Sequence, residues 1–157
     1  MRPTGQQVLD LARTRLGEPY LIGASVPKND KNWHGPWDCA EFTAWVVFQV
    51  SGILYGCSTN DPKRAKAADA YTGFYARDSL KLGTGITVAE AAKFPGALVL
   101  RLAKGKKYGH IVFSDGHGGT IEAHSKNDGV VERVLAERDW NVGILIPGIE
   151  YVATKEV

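Results

Sequence analysis

The residue pattern changes character near Pro95-Gly96, and that change constrains the fold more than any other feature of the chain. Before it, apolar residues recur at helical spacing. After it come five short runs rich in branched residues, 97–102, 110–114, 120–124, 130–135 and 142–146. Turn residues separate them: Lys104-Gly105-Lys106, Asp115-Gly116, Gly118-Gly119 and Asn127-Asp128-Gly129. Helices first and a meandering antiparallel sheet second define an α+β domain, with N-terminal helices packed on a C-terminal sheet. The 157 residues fit one domain, 1–157. The 18 glycines exceed ordinary usage and supply the tight turns that a sheet needs.

The first half carries helix punctuation. Thr4 and Gln7 form a capping box, Leu9, Ala12 and Leu16 follow at helical spacing, and Gly17 marks a stop. Residues 18–37 have no period and read as a long loop, a length that often carries function. Asp38 reads as the N-cap of a second helix, with Glu41 completing a capping box. Phe42, Trp45, Val46 and Gln49 run down one side of it, and Gly52 ends it. Asp61-Pro62 predicts a third helix through Ala65, Ala68 and Tyr71, and Thr87 with Glu90 a short fourth.

Composition narrows the function. A net charge of +2 is too small for a dedicated nucleic-acid binder. No apolar run nears the roughly 20 residues that span a bilayer. Residues 1–7 hold no apolar signal core, so Sec export in this form is not expected. Two cysteines, Cys39 and Cys57, make neither a disulfide framework nor a zinc pattern. A monomer without metal or cofactor is the expectation.

Cys39 follows the N-cap directly, where the helix N-terminal field favours a thiolate, the nucleophilic form. The plainer alternative is a small buried core residue. Cys57 lies in a turn and reads as structural. A thiol nucleophile needs a base, and His110 opens a strand that can hold its ring still. His34 and His117 fall in loops. If 110–114 and 120–124 form a hairpin with paired positions summing to 234, then Glu122, His110 and His124 share one face. Geometry alone leaves Glu122 and His124 both eligible to orient the base. Trp33 and Trp37 either line a groove or pack on the Cys39 helix.

These residues resemble a known family. Asp38-Cys39-Ala40-Glu41-Phe42 resembles the Asp-Cys-Ser-Gly-Phe motif of the NlpC-type papain-like cell-wall peptidases. Pro95-Gly96-Ala97-Leu98-Val99-Leu100 is similar to their Pro-Gly-Asp-Leu-Val-Phe strand, and Gly109-His110-Ile111-Val112-Phe113 to their His-Val-Gly-Ile-Tyr strand. Glu122 falls where the family keeps its third polar catalytic residue, about twelve positions after the histidine. Glu18-Pro19-Tyr20-Leu21-Ile22-Gly23 resembles the Pro-Tyr-x-Trp-Gly segment. The resemblance spans roughly residues 5–147. It implies a papain-like α+β fold and a peptidoglycan hydrolase that cuts stem peptides, commonly between γ-D-glutamate and a diamino acid. Cys39 is then the nucleophile, His110 the base and Glu122 the orienting group. Tyr20 and Trp37 contact substrate, Tyr20 on the oxyanion side. Action at the bacterial cell wall follows. A cell-wall amidase, an acyl transferase or a non-catalytic wall-binding domain are the alternatives. Ala40-Glu41 in place of Ser-Gly, Ala97 in place of Asp, and the long 24–37 and 57–94 segments depart from the family pattern.

Overall fold

The computed structural model describes residues 2–155. Helix α1 (Gly5–Arg13) opens on the expected capping box: Thr4 Oγ1 accepts from the Gln7 amide at 3.1 Å, and the Gln7 side chain accepts from the Thr4 amide at 2.9 Å. The helix stops short of Gly17. Leu16 lies exposed on the turns that follow, and the Gly17 amide bonds instead to the Val130 carbonyl at 2.9 Å.

Helix α2 (Cys39–Ser51) has Asp38 as its N-cap, accepting from the Glu41 amide at 2.7 Å, and Gly52 in the left-handed region (φ 72°) as its C-cap. Glu41 does not close a capping box. Its carboxylate turns inward and pairs with Lys28, and both side chains are buried. The Lys28 ammonium also donates to the Ala68 carbonyl. This pair fastens the 24–37 loop and residues 68–70 to the first turn of α2.

The sequence misplaces the third helix. Asp61-Pro62 starts only one 3-10 turn, Pro62–Arg64. The helical bonding reaches the Ala68 amide, on the Arg64 carbonyl at 3.0 Å; the next bond would need the Ala65 carbonyl, which the Lys28 amide meets at 3.1 Å. The Ala70 amide faces Glu41 at 3.4 Å. The helix proper, α3 (Thr72–Lys81), begins only after Tyr71. A two-residue strand β1 (Gly85–Ile86) precedes α4 (Val88–Ala91), whose Thr87/Glu90 capping box is the expected one.

All five predicted runs are strands: β2 (Leu98–Arg101), β3 (His110–Ser114), β4 (Gly119–Ser125), β5 (Gly129–Val134) and β6 (Val142–Ile144). They form one six-stranded sheet in the order β1-β6-β2-β3-β4-β5, each neighbouring pair antiparallel. Phe113 pairs with Ile121 and Ser114 with Thr120, the register expected from the sequence. Helix α2 is buried from Ala40 to Val47 because β3 and β4 cover one side, and α1 and the 24–37 loop cover another. A helix enclosed in this way is apolar all round. Its N-terminus is thereby fixed against the start of β3.

Candidate active site

Cys39 is the first residue of α2 and is half-buried. It lines a cavity of about 500 Å³ together with Tyr20, Asp38, Tyr108, His110 and His124. The Tyr75 hydroxyl donates to the Ala40 carbonyl at 2.8 Å, and the Thr43 hydroxyl to the Cys39 carbonyl at 2.9 Å, so the first turn is held from outside as well as within. Cys57 is fully buried on an isolated bridge to Ala70, and both cysteines are free thiols.

His110 opens β3 with its ring almost wholly enclosed. Nε2 lies 2.9 Å from Glu122 Oε1 on β4. A carboxylate can only accept, so Nε2 carries the proton, and Nδ1 is left as the basic nitrogen. Trp140 stacks on the ring at 6.1 Å and 28°, and His124 meets it edge-on at 6.0 Å. His124 has its own partner, since its Nδ1 lies 2.7 Å from Asp128 Oδ2. Of the two residues eligible from the sequence, Glu122 is therefore the one bonded to His110.

Glu122 is fully buried. Burial pushes its carboxyl up, but hydrogen bonds from His110, Arg138 and Thr120 outweigh it and hold the group down at about 2. Arg138 grips both oxygens, at 2.6 and 3.0 Å, and Thr120 donates to Oε2. The Arg138 guanidinium also lies 4.8 Å over the Trp140 ring. Arg138 and Trp140 escape the sequence reading because residues 135–141 follow no period. The available signal was an arginine two positions from a tryptophan in a segment leading back into the sheet.

Two expectations are corrected. Trp37 packs on the Cys39 helix and does not line the groove: it is fully buried, donates from its indole to Glu18 Oε1 at 2.9 Å, and packs edge-on against Phe42 and Trp45. Large aromatic area next to an apolar helix face is best satisfied inside. The helix field also does not by itself make Cys39 a thiolate. Burial, then the Asp38 charge, push the thiol up to about 12, against smaller opposing hydrogen bonds from the backbone of Ile111 and Ala40. Burial likewise pushes His110 below the usual histidine range, with Glu122 working in the other direction. Tyr20 is pushed up to about 12 by burial and the nearby Cys39 and Asp38, so it stays a hydroxyl donor in the cavity.

Each group alone thus favours its neutral form, and the thiol ionises readily only by passing its proton to a neighbouring base. In His110→Ala the alkylation rate of Cys39 by iodoacetamide should climb about tenfold per pH unit with no plateau below roughly pH 10. The parent protein should level off well below that. Identical plateaus near the ordinary thiol value of about 8.5 in both proteins would mean that His110 does not serve Cys39.

The sheet thus places a bonded histidine–carboxylate pair and a cysteine at a helix N-terminus on one cavity. No family model matches the chain. A probable endopeptidase of Corynebacterium glutamicum is 28% identical over 136 residues, which cover 84% of this chain and 49% of that protein. Its counterpart in strain R of the same species matches equally, at 28%. The chain spans about half the length of the curated relatives it matches. Among solved structures, the NlpC/p60 domain of the peptidoglycan hydrolase SagA has a TM-score of 0.61 at 22% identity, covering 91% of this chain and 99% of that one. An NlpC/P60 family protein from Bacillus cereus has a TM-score of 0.66 at 16% identity, covering 92% of this chain and 41% of its own. The peptidoglycan hydrolase RipB of Mycobacterium tuberculosis has 0.60 at 17%, covering 94% and 65%. The chain has the NlpC/p60 fold, the α+β class that the sequence resemblance implied.

Proposed function

We propose that this domain is a cysteine hydrolase of bacterial peptidoglycan that cuts a stem-peptide amide, between γ-D-glutamate and a diamino acid, through Cys39, His110 and Glu122. The observation that carries the reading is the buried Glu122–His110 bond, which leaves Nδ1 basic in the cavity that Cys39 lines. Relatives described as a probable endopeptidase and as peptidoglycan hydrolases support the substrate class.

In this mechanism His110 Nδ1 takes the thiol proton as Cys39 Sγ attacks the scissile carbonyl. The oxyanion meets the backbone N–H groups at the start of α2 and the Tyr20 hydroxyl. His110 then gives its proton to the leaving amine as the C–N bond breaks, and an acyl-thioester remains. Water, deprotonated by His110, releases the acid and restores the thiol. Glu122 keeps the ring in the correct tautomer and orientation throughout. Every group required comes from one chain, consistent with a monomer working at the cell wall.

Digestion of purified peptidoglycan, with mass identification of the fragments, tests the proposal. New termini at a γ-D-glutamyl–diamino acid bond are expected. Release of stem peptide from the glycan would make the protein an amidase instead. Wall binding without any cleavage would leave only a binding domain.

A further inference from the structure

We infer that a basic cavity on the His110 side of the cleft is the subsite for the leaving half of the substrate, and that it selects a leaving residue bearing a free carboxylate. This rests on the hydrolase reading for its direction. His110 must protonate the leaving amine, so that half of the substrate lies on the His110 side of Cys39. Arg101 stands directly opposite His110 in the β2–β3 register, and paired residues on neighbouring strands project from the same face.

Beyond them lies a cavity of about 830 Å³ walled by Arg101, Lys104, Lys107 and Trp140. Arg101 and Ala103 line both this cavity and the one that holds Cys39, so the two adjoin. The charges there are unbalanced. Asp139 also lines the cavity and faces Lys107 at 3.5 Å on the exposed rim. Arg101 has a different situation: its guanidinium lies 5.9 Å from the Trp140 ring centre, and its Nε is buried with no hydrogen-bond partner among the described residues. A buried unpartnered donor on a planar cation suits an incoming carboxylate, which can accept two N–H bonds at once. Lys104 adds a second positive charge at the same wall. Because the cavity adjoins the cleft, the anion it fits is one carried by the peptide being cut, close to the scissile bond.

The test compares two γ-D-glutamyl peptides that differ only in the leaving residue, diaminopimelate with its side-chain carboxylate free or converted to the carboxamide. The parent protein is expected to favour the free carboxylate at least about tenfold in kcat/KM, mainly through KM. Arg101→Gln should bring that ratio to within about threefold by losing activity on the carboxylate peptide alone, with Arg101→Lys in between. A parent ratio near one, or an unchanged ratio in Arg101→Gln, overturns the inference. Calorimetric binding of both peptides to Cys39→Ala separates this inference from the hydrolase reading. If the parent protein cuts neither peptide, but Cys39→Ala binds the carboxylate form in a way that Arg101→Gln abolishes, the subsite stands and the hydrolase reading falls. Equal cleavage of both peptides does the reverse. Poly(glycerol phosphate) displacing the carboxylate peptide at lower concentration than free diaminopimelate would reassign the cavity to a wall phosphopolymer and overturn the carboxylate assignment.

Discussion

Cys39→Ala and His110→Ala are each expected to lower fragment release from peptidoglycan by on the order of 10⁴-fold or more, and the double variant no further. In the proposed mechanism the two residues act as a unit. Burial pushes the thiol up, so in that mechanism it attacks by handing its proton to Nδ1. An imidazole without a thiol has no nucleophile to activate. Losing either member removes the same step, and the second loss finds nothing left to remove. The fold should survive: Cys39 is small and half-buried at a helix end, and the His110 backbone pairing with Arg101 does not depend on its ring. Circular dichroism separates loss of chemistry from loss of structure. Cys57→Ser is a useful contrast, since Cys57 lies outside the residues that line the cavity, and it should remain active. A folded Cys39→Ala protein that still releases fragments would end the cysteine-hydrolase reading.

What could be read from the sequence follows from the range of the forces involved. Caps and turns are local: Thr4/Gln7, Asp38, Gly52 and Thr87/Glu90 name their helix ends within four residues, and all stand as expected. Alternation in 110–114 and 120–124 fixes which residues face together. The assumed register therefore puts both Glu122 and His124 on the His110 face, and the bond that separates them is visible only in the fold. Long-range polar pairs were not readable. Glu41 looks like a cap because its spacing from Asp38 is right, and only the arrival of Lys28 from the loop turns it inward. The Lys28 amide, from the same loop, meets the Ala65 carbonyl that the predicted third helix would need for Asp69. Trp37 has no local sign of its burial, which depends on Glu18, Phe42 and Trp45 closing round it. The influences on the thiol divide in the same way. The helix field is visible in the sequence, but the desolvation that opposes it belongs to the packed cavity.

Arg138 shows most clearly how far the catalytic pair depends on such distant partners, and Glu122 is where that dependence can be measured. Glu122→Ala should cost about 3–5 kcal/mol of stability, because it leaves the His110 N–H without its acceptor and the Arg138 guanidinium with only the Val134 carbonyl. Glu122→Gln keeps one acceptor oxygen for His110, so it should stay folded and partly active where Glu122→Ala loses more. Acid titration gives an independent reading. The folded carboxyl is held at about 2 against an ordinary value of 4.5. Its contribution is therefore full above the unfolded value and is lost as pH falls toward 2, a change of roughly 3 kcal/mol. Glu122→Gln should lack that part of the acid destabilisation. Arg138→Met acts on the same pair from the other side. It removes a positive charge that holds His110 down, and it leaves the Glu122 charge free to favour the imidazolium. The His110 pKa should then rise, and the acid limb of the kcat/KM profile should move to higher pH. Loss of stability with no movement of that limb would reduce Arg138 to a structural residue. Full activity in Glu122→Ala together with a dead His124→Ala would transfer the orienting role from Glu122 to His124.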